Sequence, residues 1–319
     1  MHAYICHNPE AGIEDSHDKA AIKNALHLAG YKTSYRSTRK KGFARELGKL
    51  TAADTDILVI AGGDGTIGKV IGALKDRSIP IALLPLGTAN NIGRAFGTAG
   101  LPHVLCESWR PHELLRLDIG KAEGLWGNAT FLETFGLGAM PRLMSDGDKD
   151  GTGLIGAAAL AYGRKVLRRI LKHAKPFRVD ITVDGARMTK SLLGVEVMNI
   201  AYTGPALKLA PDATPGDRTF DVVCFDAARR TAMMAWIEAP RGPPPASVYR
   251  GRDVSLRWRA APQRLDDKLK PAQTEEQTVH LSFEREPVRI LKCWLAPEPS
   301  GSRPVSRAWR KTSRGRTAR

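Results

Sequence analysis

The first third of the chain alternates short apolar runs with stretches whose apolar residues recur at helical spacing. Tyr4 to His7 is apolar and stops at the turn pair Asn8-Pro9, which predicts a strand. From Asp18 to Leu28, apolar residues fall at Ala21, Ile22, Ala25, Leu26 and Leu28 and end before Gly30, as in a helix. Lys32 to Ser37 reads as a strand and Ala44 to Leu50 as a short helix. Ile57-Leu58-Val59-Ile60-Ala61 has no polar member, as suits a strand covered on both faces of a parallel sheet. A glycine-rich turn follows, then a helix with Ile67, Val70, Ile71 and Leu74 on one side. Ile79 to Leu84 is the next buried strand, closed by a second turn at Pro85-Leu86-Gly87-Thr88 and a further helix. Such βα repetition implies a parallel sheet with right-handed crossovers.

From about residue 122 the texture changes. Thr130–Phe135, Phe177–Val183, Ser191–Ala201, Thr219–Phe225, Val254–Arg259, Thr278–Phe283 and Val288–Trp294 read as strands, with a hairpin turn at Val183-Asp184-Gly185. One helix, Leu154 to His173, interrupts them. The expected fold class is therefore α/β: an N-terminal parallel-sheet domain over residues 1–121, then a mainly antiparallel domain over 122–296. The tail, 297–319, is basic from Arg303 to Arg319 without an acid, and its composition predicts disorder.

Composition narrows the class. At 319 residues the chain accommodates two domains, and 42% apolar with 26% charged residues is globular. No run approaches the about 20 apolar residues that span a bilayer, and the start has no basic, then apolar, signal-peptide pattern. Cys6, Cys106, Cys224 and Cys293 are scattered, which predicts reduced thiols and a cytoplasmic location rather than a zinc site. A net charge of +16 favours acidic partners such as phosphorylated substrates or an anionic membrane. No recognition module or aromatic-interleaved basic face points to specific nucleic-acid binding.

The chemistry is concentrated in the two turns. A glycine turn between a parallel strand and a helix offers free N–H groups and a positive helix end to a phosphate. Gly62, Gly63 and Gly65 allow close approach, and Thr66 can cap the helix or donate to a phosphate oxygen. A carboxylate beside a polyphosphate would repel it, so Asp64 implies Mg²⁺ or a positioning role. Gly63-x-Gly65-x-x-Gly68 also matches the dinucleotide pattern, but the next strand ends in Pro85-Leu86-Gly87-Thr88 without the carboxylate that a ribose requires.

Ile60-Ala61-Gly62-Gly63-Asp64-Gly65-Thr66-Ile67, followed by Leu84-Pro85-Leu86-Gly87-Thr88-Ala89-Asn90-Asn91, resembles the catalytic domain of the diacylglycerol kinase and sphingosine kinase family. The resemblance runs over roughly residues 3–295 and includes Asn8-Pro9-x-Ala11-Gly12, Leu117-Asp118-Ile119-Gly120, Phe135-Gly136-Leu137-Gly138 and Leu207-Lys208-Leu209-Ala210-Pro211-Asp212-Ala213. It implies a nucleotide domain, a β-sandwich-like second domain and a cleft between them. By this similarity Thr38, Gly62, Gly63, Asp64, Gly65, Thr66, Ile67, Gly68 and Thr88 would contact ATP. Asp64, Asn91 and Asp118 would form a polar network at the phosphates and catalytic Mg²⁺. Asp217, with backbone oxygens of Thr214 and Thr219, would hold a structural Mg²⁺. Asp266 would accept the proton of a lipid hydroxyl as it attacks the γ-phosphate.

Four departures from the family pattern bear on chemistry. Asn91 stands where a carboxylate is usual, and Asp266-Asp267-Lys268 replaces Asp-Gly-Glu. Arg218 replaces a glycine after Asp217, and Ile13-Glu14-Asp15 replaces an expected lysine. They keep two alternatives open: a catalytically weak nucleotide- or lipid-binding protein of this fold, and an NAD-kinase-like enzyme. The second-domain resemblance argues against the latter. A lipid kinase must also meet a membrane surface, peripherally here. The expected contacts are a basic amphipathic helix at Leu154–His173 and the tail with Trp309. A homodimer is compatible with the resemblance.

Overall fold

The computed structural model describes residues 1–11, 18–147, 153–271 and 274–293. The expectations for Gly12, Ile13-Glu14-Asp15, Trp294 and the tail lie outside the described residues.

One sheet is built from β1 (His2–His7), β2 (Lys32–Ser37), β3 (Ile57–Gly62), β4 (Ile81–Pro85), β5 (Trp109–Leu117) and β17 (Val288–Cys293). Its order is β2-β1-β3-β4-β17-β5. The first four strands are parallel, β17 joins β4 in the same sense, and β5 forms an antiparallel edge. The connecting helices are α1 (Lys19–Leu28), α2 (Phe43–Leu47), α3 (Asp64–Ala73), α4 (Asn91–Ala95) and α5 (Pro102–Ser108). Asp18 caps α1 by accepting from Ala21 N at 2.6 Å.

The unbroken apolar run of β3 follows from helices on both faces. Leu58 and Ile60 cluster with Ile67, Val70 and Ile71 of α3, whereas Ile57, Val59 and Ala61 cluster with Ile22 and Leu26 of α1. Burial of each large aliphatic side chain contributes roughly 1.5–3 kcal/mol, so the strand is anchored from both sides. Its carboxyl end, where the first glycine turn begins, is thereby held rigid.

The second sheet contains β6 (Gly120–Gly124), β7 (Gly127–Phe131), β8 (Thr134–Gly138), β9 (Phe177–Val183), β10 (Ala186–Met198), β11 (Phe220–Asp226), β12 (Ser247–Gly251), β13 (Val254–Arg259), β14 (Gln263–Leu265), β15 (Lys268–Lys270) and β16 (Glu276–Phe283). Its main path is β15-β14-β8-β10-β9-β13-β16-β6-β7, with β11 pairing β10 and β12. The β9–β10 hairpin turns at Asp184 and Gly185, with φ of 46° and 84°, as the Asp-Gly signal requires. One core lies within the curved sheet around Phe135, Val197, Phe220 and Trp258. Another lies between the sheet and α6 (Ala139–Gly147), α7 (Gly156–His173) and α8 (Arg230–Glu238).

Three expectations need correction. The last strand belongs to the first sheet, because Val288, Ile290 and Leu291 are buried in first-domain cores. The β domain is thus an excursion between β5 and β17, and its boundary does not extend to residue 296. It contains three described helices rather than one. Finally, Val166, Leu167, Ile170 and Leu171 of α7 are buried against the domain, so that apolar stripe is core and not a membrane-facing surface.

Candidate active site

The two glycine turns leave the carboxyl ends of β3 and β4 and meet. A Cβ on Gly63 would lie 3.1 Å from the Gly87 Cα, so the turns touch backbone to backbone. Asn90 holds the second turn from within: its Oδ1 accepts from Gly87 N at 2.8 Å and its Nδ2 donates to Gly87 O at 2.7 Å. Asn90 takes φ 49°, a left-handed conformation that asparagine tolerates.

Above the turns is a cavity of about 940 Å³, lined by Thr38, Gly63, Gly65, Thr66 and Thr88 among others. These are five of the expected nucleotide contacts. Gly62 and Ile67 stand behind them in the strand and the core. Thr66 does not cap α3; its hydroxyl oxygen accepts from Asn8 Nδ2 at 3.4 Å. Asn8, Arg39 and Lys69 also line this cavity and were absent from the expected set. Lys69 lies four residues after Gly65 on α3, on the same helix face, and donates from Nζ to Thr38 O at 2.6 Å. That spacing was the signal available for it. Arg39 is paired with Glu10 at the rim.

A second cleft of about 590 Å³ opens between α3 on one side and β7, the link at Leu132 and Glu133, β14 and β15 on the other. Gly68 lines it, as do Asp64, Glu133, Asp266 and Asp267. Asp64 is spent on structure: its Oδ2 accepts from Asn91 N at 2.9 Å and its Oδ1 from Ile92 N at 3.0 Å, capping α4. Burial raises its pKa, opposed by those two N–H groups and reinforced by the charge of Asp267. Asn91 is buried and donates from Nδ2 to Glu133 Oε2 at 3.0 Å and to Gly204 O at 3.2 Å. Glu133 thus brings a carboxyl group beside Asn91 from across the domain junction. Burial, then the charges of Asp64 and Asp266, push Glu133 well above the ordinary glutamate range.

Asp266 turns its carboxylate inward. Oδ2 accepts from Leu132 N at 2.9 Å, and Oδ1 accepts from Glu133 N at 2.8 Å and Thr134 N at 3.1 Å. Burial raises its pKa against these three bonds. The Asp266 carbonyl takes Arg264 Nη1 at 2.8 Å, and Arg264 Nη2 pairs with buried Glu196 at 2.7 Å. This network fixes β14 to β8.

Asp118 does not join the Asp64 network. Its N donates to Pro215 O at 2.7 Å and its Oδ2 accepts from Arg218 N at 2.7 Å, so it braces the 214–218 loop. In that loop Thr214 O accepts from Asp217 N at 3.3 Å, and Asp217 Oδ1 accepts from Thr219 N at 2.9 Å. Asp217 Oδ2 lies 3.1 Å from Arg250 Nη2, and Arg250 Nε lies 3.1 Å from Asp221 Oδ1. A guanidinium therefore stands where the resemblance puts a cation, because Asp217 and buried Asp221 both need positive charge nearby. Among the described residues no three His, Cys, Asp or Glu side chains are grouped to hold a metal ion. Of the expected Mg²⁺ ligands, Asp64 has both oxygens hydrogen-bonded and Asp217 is paired with Arg250, whereas beside that loop Asp118 Oδ1 and Asp221 Oδ2 are buried without a hydrogen-bond partner.

Comparison with known proteins agrees with this architecture. Residues 2–122 match the diacylglycerol kinase catalytic domain, and residues 151–261 match the YegS C-terminal NAD kinase beta sandwich-like domain. A diacylglycerol kinase of Bacillus subtilis is 29% identical over 243 residues, covering 73% of this chain and 78% of that protein. A diacylglycerol kinase of Staphylococcus aureus is 27% identical over 242 residues, covering 70% of each. A diacylglycerol kinase structure from Bacillus anthracis superposes with a TM-score of 0.66 at 16% identity, covering 91% of this chain and 96% of that one, which shows a shared fold. Residues 2–122 thus carry the diacylglycerol kinase catalytic domain, and residues 151–261 the second domain of the YegS type. The chain's relatives bear the name of kinases, and the transferase class follows at that level.

Proposed function

We propose that the protein transfers the γ-phosphate of ATP to the hydroxyl of a lipid, diacylglycerol or a related molecule such as a sphingoid base. The observation that carries this reading is the contact of the two glycine turns beneath the 940 Å³ cavity, with a second cleft adjoining it at Gly65 and Lys69. The turns offer backbone N–H groups and the N-terminus of α3 to the polyphosphate. Lys69 adds a cation one helical turn further on. The second cleft has apolar walls, Ile71, Ala129, Phe131 and Leu132, beside its carboxylates, which suits an acceptor whose body is apolar and whose hydroxyl must be activated. Transfer then depends mainly on positioning and charge stabilisation.

The resemblance assigns the general base to Asp266. Its three backbone N–H partners give it a firm positioning role, and it is the fixed end of the turn that carries Asp267.

Among the described residues no helix is long and apolar enough to cross a membrane. The lipid would be met at a surface. Leu154 and Ile155 are 43% and 51% exposed just before α7, and Lys165, Arg169 and Lys172 are exposed along that helix. This pairing suits shallow insertion beside anionic headgroups.

The test is incubation with γ-labelled ATP, Mg²⁺ and a panel of diacylglycerol, sphingosine and NAD, with products separated. Label in a lipid supports the reading. Label in NAD alone assigns the NAD-kinase alternative, and ATP binding without any labelled acceptor assigns the weak binding protein.

A further inference from the structure

We propose that Asp267, rather than its neighbour Asp266, takes the proton from the acceptor hydroxyl; the inference rests on the phosphotransfer reading above. The two residues form the turn between β14 and β15, where Leu265 pairs with Lys268. They face opposite ways. Asp266, at φ 47°, sends its carboxylate under the main chain of residues 132–134. Three N–H donors occupy its oxygens and hold it away from any hydroxyl in the cleft.

Asp267 reaches in the other direction, to the first domain. A Cβ on Gly65 would lie 2.5 Å from Asp267 Oδ2, so this carboxylate rests on the bare backbone of the first turn of α3. It is exposed, and among the described residues it has no hydrogen bond or ion pair. Of the four carboxylates lining the cleft, Asp64, Glu133 and Asp266 are all hydrogen-bonded. Among these four described carboxylates, Asp267 is the one with neither oxygen hydrogen-bonded.

Its position matters because Gly65 and Lys69 line both cavities. A phosphate seated on the Gly65 turn and a hydroxyl in the second cleft would meet at this point. A carboxylate beside a phosphate is repelled unless something between them carries a proton or positive charge. An acceptor hydroxyl supplies that proton. Its oxygen forms a bond to the γ-phosphorus while the bond to the β,γ-bridging oxygen breaks. ADP leaves with that electron pair, and the hydroxyl proton passes to Asp267. The glycine usual at this turn position in the family is absent, and the replacing side chain is the one that fills the junction.

The experiment compares wild type, Asp267→Asn and Asp266→Asn as full-length proteins in the labelled-ATP assay with diacylglycerol micelles. Affinity for a non-hydrolysable ATP analogue, thermal melting and the pH profile of kcat/KM are read alongside. The expected result for Asp267→Asn is a loss of kcat of about 10²–10⁴-fold, with analogue affinity and melting unchanged. The wild-type acidic limb of kcat/KM should be flattened in this variant. Asp266→Asn should instead lower the melting temperature. Asp267→Asn retaining kcat within about threefold of an active wild type overturns the inference and leaves the kinase reading intact. So does a variant whose only defect is a higher Mg²⁺ requirement, since Asp267 would then be a cation ligand. A wild type that binds the analogue and labels no acceptor overturns both.

Discussion

A Cβ on Gly87 would stand 2.6 Å from the Cα of Gly63, so the turn after β4 and the turn after β3 exist only as a touching pair. Backbone at that distance has no side chain to move aside. Gly87→Ala must separate the turns and distort the surface that would hold the phosphates. ATP-analogue affinity is expected to fall more than about tenfold, roughly 1.4 kcal/mol, while far-UV circular dichroism stays unchanged. Titration calorimetry reads the loss, and unchanged affinity would detach the turns from nucleotide binding.

Glu133 gives the chain a pH signature. Burial and the carboxylates of Asp64 and Asp266 keep it protonated well above the range of a free glutamate. The folded chain therefore holds a proton that the unfolded chain releases. Its stabilisation is fully present below the unfolded value and is lost as pH rises through the folded value. Glu133→Gln is neutral at every pH. The melting temperature of the variant relative to wild type should rise from pH 5 to pH 9, and a difference constant with pH would contradict the assignment.

Arg250 bridges Asp217 and Asp221 beside the 214–219 loop. Burial already pushes Asp221 up to about 6, against the pull of Arg250. EDTA should leave the melting temperature of the nucleotide-free protein unchanged. Arg250→Met should lower it by about 2–4 °C, the shift of roughly 1 kcal/mol in a chain of this size. An EDTA-induced drop reversed by Mg²⁺ would restore the metal site.

Membrane contact is expected to run through the exposed Leu154 rather than through the apolar stripe of α7, which is core. Leu154→Glu should reduce sedimentation with phosphatidylglycerol vesicles several-fold without changing the melting temperature. Equal sedimentation would remove this residue from the contact.

The local pattern carried the first domain well. The run Ile57 to Ala61 could only be a strand covered on both faces, and Asp184-Gly185 could only be a tight hairpin. Partner choice was not legible. Val288 to Cys293 alternates like any strand, and nothing in its period says that it returns to β4 across the whole second domain. Side-chain direction was equally hidden at Asp266-Asp267, where one positive φ points two adjacent carboxylates to opposite sides. Asp118 followed a motif but is tied to the 214–218 loop by its own hydrogen bonds. Lys69 and Glu133 did leave traces: a cation one helical turn past Gly65, and a lone acid inside the apolar Phe131 to Phe135 run. Each becomes informative only once the opposing domain is in place.

Transfer from ATP to a lipid hydroxyl can be followed in a single turnover. Excess protein is mixed with γ-labelled ATP and diacylglycerol micelles, and label is followed in ATP, inorganic phosphate and lipid. Lipid phosphate is expected to appear in step with ADP, one for one. Label that stays in ATP, or appears only as inorganic phosphate, would contradict it.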